Sequence, residues 1–142
     1  MLKPTSKIVL SNELLDRIVE YYIATYEMYN FRKLFGEGLD DSIIINVKIN
    51  KFGRCRIGSE KFGSTMSSRH IKSSFILAKF ITKDDNVECY PGQVQYYFTH
   101  KINLPNKGLT DHFLAYVRWY KLVNASNVQY RFSSDDICNV EL

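Results

Sequence analysis

Gln93-Val94-Gln95-Tyr96-Tyr97-Phe98 and His112-Phe113-Leu114-Ala115-Tyr116-Val117-Arg118-Trp119-Tyr120 are the two stretches on which the fold turns. In the first, Val94, Tyr96 and Phe98 recur at every second position. In the second, Phe113, Ala115, Val117 and Trp119 alternate with Leu114, Tyr116, Arg118 and Tyr120. A period of two is that of a β-strand, whose successive side chains leave opposite faces. The first strand is expected from Gln93 to Leu104 and the second, the longest, from His112 to Val123, with Pro105 to Asp111 as the loop between them.

Working outward, Ser42 to Ile49 predicts a strand with Ile43, Ile45, Val47 and Ile49 on one face. Asn50-Lys51-Phe52-Gly53 follows as a reversal, and Arg54 to Ile57 as a short returning strand. Gly58 to Ser68, rich in Gly, Ser and Thr, reads as a loop. Ile71 to Thr82 is apolar on both faces at its centre, which suits a central, doubly buried strand. Lys83-Asp84-Asp85-Asn86 turns the chain, and Pro91-Gly92 has the chemistry of a type II turn. Val128, Tyr130 and Phe132 alternate in a short further strand. The chain closes on Val140-Glu141-Leu142, which reads as the start of a strand cut short.

Only the N-terminal part departs from this period. Leu14, Leu15, Ile18, Val19, Tyr22, Ile23 and Tyr26 recur at three- and four-residue steps, so they form one face of a helix. Ser11 is placed as its N-cap, Leu10 and Leu15 as a hydrophobic staple, and Glu13 with Arg17 as a supporting ion pair. The helix is expected to reach about Tyr29, with Gly36 and Gly38 beyond it as stops. The fold class is therefore mainly β (α+β). Residues 1–38 form an N-terminal segment with one amphipathic helix, and 39–142 a β-rich antiparallel unit, the whole being a single folding unit.

Size and composition agree with this. The chain has 142 residues, one domain's worth, and its 10 Tyr and 9 Phe favour strands. Three cysteines at wide spacing, Cys55, Cys89 and Cys138, do not read as a secreted disulfide framework. No segment has the apolar length of a membrane span or a signal-peptide core. An intracellular location follows as the expectation.

Chemical motifs are sparse. The cysteines and His70, His100 and His112 lack the close pairing of structural zinc ligands. Asp40-Asp41, Asp84-Asp85 and Asp135-Asp136 fall where turns are expected, and Asp favours turns by bonding its own backbone. Gly36-Glu37-Gly38 lacks the third glycine of a dinucleotide fingerprint and follows a helix. No nucleophile elbow or P-loop occurs. No catalytic residue, metal or small-molecule cofactor is expected, and the chain reads as a binding protein, not an enzyme.

Charge supplies the candidate surface. The net charge is +4, yet Lys48 to Lys79 holds eight basic residues with Glu60 as its single acid, so the rest of the chain is net acidic. Arg54, Arg56, Lys61, Arg69 and Lys72 are the candidate contacts to a nucleic acid or an acidic partner. A second candidate is an aromatic surface of Tyr97, Tyr116 and Tyr120, since exposed rings on a sheet stack bases or hold cationic groups.

Tyr90 to Phe98 followed by His112 to Tyr120 resembles modules of proteins encoded by transposable elements of the CACTA (En/Spm) kind, in families expanded in fungi. Phe52-Gly53-Arg54-Cys55-Arg56-Ile57-Gly58-Ser59 and Ser68 to Ile76 share the resemblance, which covers roughly residue 43 to the end. The same strand pair is more distantly similar to the bromo-adjacent-homology (BAH) domain. The resemblance implies a small twisted β-barrel, incomplete at its C-terminus, that acts in the nucleus on chromatin or another protein. No transposase acidic triad and no aromatic cage can be placed on this chain. Sequence-nonspecific nucleic-acid binding and an inactive gene fragment stand as alternatives. Oligomeric state is left open.

Overall fold

The computed structural model describes residues 6–33, 42–122 and 130–139. Their order is β1 (Ser6–Val9), α1 (Asn12–Thr25), β2 (Phe31–Arg32), β3 (Ile43–Ile44), β4 (Lys48–Phe52), β5 (Cys55–Ile57), β6 (Glu60–Phe62), a 3₁₀ segment (Ser68–Ser74), β7 (Phe75–Ile81), β8 (Val87–Leu104), β9 (Gly108–Leu122) and β10 (Tyr130–Asn139). The main sheet is antiparallel, in the order β1-β4-β8-β9-β10. β8 is long enough to share one edge between two neighbours: its first half pairs β7, and Tyr97 to Thr99 pair β4. Among the described residues no ladder joins β1 to β10, so this sheet is open.

The mainly β class is as the sequence predicts and both defining strands form, but β8 begins at Val87, ahead of the expected Gln93, and exceeds β9 as the longest described strand. One further correction organises the molecule. Val94 and Tyr96 do not share a face. The β8–β9 register shifts between them, from Val94↔Val117 to Tyr96↔Tyr116, leaving Gln95 as an extra residue. Such a bulge moves every later side chain to the other face. The carbonyls it frees are satisfied by Thr65, whose N–H donates to Val94 (3.0 Å) and whose hydroxyl donates to Gln95 (3.0 Å).

Two cores follow, one on each face. Phe98, Ile102, Leu104 and Leu114 pack under α1 with Leu14, Leu15, Ile18 and Tyr22. Val94, Tyr97, Ala115 and Val117 pack on the other face with Phe52, Cys55, Phe62, Ile76 and Trp119. Burying a side chain such as Ile18 or Phe98 stabilises by about 1.5–3 kcal/mol. Gly92 lies within β8, paired with Trp119, and a Cβ there would meet the indole at 2.7 Å. The expected Pro91-Gly92 turn is thus absent: glycine is used here for close packing of a ring.

α1 begins as predicted. Ser11 Oγ accepts the Leu14 N–H (3.3 Å), and Leu10 and Leu15 are both buried in the first core. It ends earlier than expected, at Thr25, and Ile23 is half exposed. Beyond it Tyr26 and Tyr29 turn in against Phe31. In place of the expected Glu13–Arg17 pair, the described ion pair of this region joins Asp16 to Lys33 (2.7 Å).

Other strands differ in detail. The predicted 42–49 strand keeps its inward set, with Ile45 and Ile49 buried. It splits into β3, parallel to β2, and β4. β5 does not return onto β4; it pairs β6, inside the expected loop, around Gly58 at φ +61°. β7 is an edge strand, not a doubly buried one: Leu77 is 62% and Ile81 77% exposed. Asp84-Asp85 does lie in a turn, but Asp135-Asp136 lies within β10 opposite Arg118 and Val117. The loop before β9 is shorter than predicted, with Asn106 and Gly108 at positive φ (69° and 71°). Asp40-Asp41, Gly36, Gly38 and the chain end at 140–142 lie outside the described residues.

Candidate functional site

The basic stretch is built as a lobe on the second face of the sheet. In the β5–β6 hairpin Cys55 pairs Phe62, and both turn toward Tyr97 and Trp119 in the second core. Alternation therefore sends the next pair, Arg56 and Lys61, outward and directly opposite each other. Both are exposed, as are Arg54 at the entry to the hairpin and Arg69 and Lys72 on the 3₁₀ segment. None of the five forms an ion pair with another described residue.

Small residues lock hairpin and 3₁₀ segment together. The Gly63 N–H donates to Ser73 Oγ (2.9 Å), and the Ser73 hydroxyl donates to the His70 carbonyl (2.9 Å). A Cβ on Gly63 would meet that carbonyl oxygen at 2.0 Å, so only glycine admits the approach. Ser64 Oγ donates to the Gly53 carbonyl (2.6 Å), and Gln93 Nε2 donates to Ser74 Oγ (3.1 Å), which ties the lobe to β8. The five cations thus stand on braced backbone. Lys51 is separated from them: its ammonium sits 3.9 Å from the Tyr96 ring, in the first-core layer.

The expected aromatic surface is not assembled. Tyr97 is buried in the second core, where burial foremost, then the neighbouring Cys55, pushes its phenol well above the usual range. Tyr116 is half buried with its ring 5.4 Å from Tyr96, whose own phenol burial pushes up to about 12. Tyr120 is half buried on β9. The bulge puts Tyr97 on the face of Val94, and the hairpin covers that face, so Tyr97 is core and not surface. No group of three or more His, Cys, Asp or Glu is placed to hold a metal among the described residues.

A second polar constellation lies inside the first core, around two histidines whose spacing in the sequence suggests no site. His100 and His112 are directly paired across β8 and β9, and both are buried. His100 Nε2 is 2.7 Å from the Asn46 carbonyl, and its Nδ1 is 2.6 Å from the Tyr22 hydroxyl. That hydroxyl is also 3.3 Å from His112 Nδ1, and His112 Nε2 is 2.6 Å from the Tyr26 hydroxyl. A carbonyl can only accept, so His100 carries its proton on Nε2 and receives the Tyr22 proton at Nδ1. Tyr22 oxygen then accepts from His112 Nδ1–H, and His112 Nε2 accepts from Tyr26. The direction of every bond follows from Asn46. Burial lowers both imidazole pKa values and raises those of Tyr22 and Tyr26. The available signal was His100 standing in phase with Phe98 and Ile102, a polar group on an apolar face.

No described helix is long and apolar enough to cross a membrane. Comparison of the chain with family models, curated proteins and solved structures found no match.

Proposed function

We propose that the chain is a non-catalytic binding module whose hairpin and 3₁₀ lobe engages the phosphate backbone of a nucleic acid. The observation that carries this is the outward Arg56/Lys61 pair on a braced lobe with Arg54, Arg69 and Lys72 exposed beside it. Like charges directly opposite on a hairpin are unfavourable. A row of phosphates converts that repulsion into attraction. Exposed side-chain cations suit contact to the phosphate backbone, which carries no sequence preference.

The transposon and BAH resemblance belongs to the same reading. A module of that kind works in the nucleus on chromatin, where the DNA backbone is the abundant polyanion, and closure of the sheet into a BAH-like barrel is part of that proposal. The test is fluorescence anisotropy of the purified chain with labelled duplex DNA, single-stranded RNA and nucleosomes across a salt series. Binding to DNA and nucleosomes alike, weakening linearly in log salt with a slope of about −0.9 per phosphate neutralised, is expected. Affinity indifferent to salt, or none at low salt, overturns it. Binding to histone peptides alone transfers the function to protein recognition.

A further inference from the structure

We propose that the Tyr26–His112–Tyr22–His100 chain is a one-proton device: it accepts a single proton by reversing its direction, and a second forces the C-terminal half of α1 off the sheet.

The count follows from the donors and acceptors. At rest each link has one donor: Tyr26 O–H to His112 Nε2, His112 Nδ1–H to Tyr22, Tyr22 O–H to His100 Nδ1, and His100 Nε2–H to the Asn46 carbonyl. Let one proton reach His112 Nε2. Tyr26 is only half buried, so its hydroxyl can rotate to accept and give its own hydrogen to solvent. The His112 Nδ1 proton then passes to Tyr22, and the Tyr22 proton passes to His100 Nδ1. Each oxygen and ring nitrogen still has a partner. The charge is thus shared between the rings, on His112 near Asp111 in one direction of the chain and on His100 beside the Asn46 carbonyl in the other.

A second proton cannot be absorbed this way. With both rings imidazolium, Tyr22 faces an N–H from each side and its own O–H has no acceptor. Tyr22 is 0% exposed, so no water replaces one. An unpaired buried donor and two adjacent cations together disfavour the closed state. The relief is separation of the end of α1, with Tyr22 in its last turn and Tyr26 as its C-cap, from β8 and β9, which carry both histidines. Among the described residues the other charged groups acting on the chain are Asp111, which favours charge on His112, and Lys107, which opposes it and lies 5.8 Å from the Tyr26 ring centre. Of the two, Asp111 acts the more strongly, so charge on His112 has a counter-charge beside it, whereas no acid acts on His100 to support a second proton there.

The test is NMR of the full chain with ¹⁵N-labelled histidine rings, titrated from pH 8 to pH 4, alongside amide exchange of α1. At pH 8 His100 is expected as the Nε2–H tautomer and His112 as the Nδ1–H tautomer. On acidification the two rings should respond together to one proton while the amides of Tyr22 and Tyr26 stay protected. Uptake of the second should coincide with loss of that protection. The same tautomer in both rings at pH 8, or two full imidazolium signals with α1 still protected, overturns the proposal. Tyr22→Phe should let the rings titrate separately, with Tyr26→Phe a milder companion. If Tyr22→Phe does not fold, the tautomers of the unaltered chain decide. DNA binding enters none of these readouts.

Discussion

Tyr22 is the residue on which most depends, because it fills the first core and completes two hydrogen bonds within it. Tyr22→Phe keeps the ring but leaves His100 Nδ1 without a donor. A loss of about 1–3 kcal/mol in urea unfolding is expected, and less for Tyr26→Phe, whose partner lies nearer solvent. Acid dependence follows from the same burial. Both histidines have lowered folded values, so the unfolded chain binds protons first. Stability should be full above pH about 6.5 and fall as pH drops from there toward the folded values, by at most about 1.4 kcal/mol per pH unit per histidine. A melting temperature rising on acidification would contradict this. At Gly92, alanine drives a methyl into Trp119 and Val117, at 2.7 and 2.9 Å. Gly92→Ala is expected to cost about 1–3 kcal/mol, followed by the fluorescence of the single tryptophan. Neither function was legible in the sequence: a histidine in register with Phe98 shows its face but not its partner, and a Pro-Gly pair signals a turn unless a ring needs the space.

Elements were legible where one face is buried and the other wet. α1 is legible for that reason, and Ser11 marks its start because its hydroxyl acts locally; β9 is legible from its period of two although both of its faces carry core. Failures came where the local pattern is shared by two environments. The apolar run of β7 matches a buried central strand, yet β7 has its one described partner in β8 and holds Phe75, Leu77 and Ile81 in solvent. An exposed apolar edge is a site for unwanted pairing, against which Lys79 is the only charge in the strand. Leu77→Lys is accordingly expected to raise the solubility limit while leaving the urea midpoint within about 0.5 kcal/mol of the parent. A large loss of stability would mean that Leu77 is covered. The β8 bulge escaped detection because Gln95 breaks no alternation by itself. The residue that bonds its carbonyls, Thr65, is thirty residues distant in sequence.

Across the whole molecule, one sheet serves two layers: α1 closes the first core, and the hairpin and 3₁₀ segment close the second and carry the cations. The composition foretold a basic segment in an acidic chain, and the five candidate cations do fall on two braced neighbouring segments. It could not tell that Lys51 would be drawn away onto Tyr96. Charge on this lobe and stability of the fold are separable, since Arg56 and Lys61 point away from both cores. The most direct test compares the unaltered chain with Arg56→Ala/Lys61→Ala in salt-titrated binding to a labelled DNA duplex. The double variant should fold with equal or slightly greater stability, bind more weakly, and lose about 1.8 from the magnitude of the log–log salt slope, two phosphate contacts' worth. An unchanged slope and affinity in a folded double variant would contradict the assignment of the lobe.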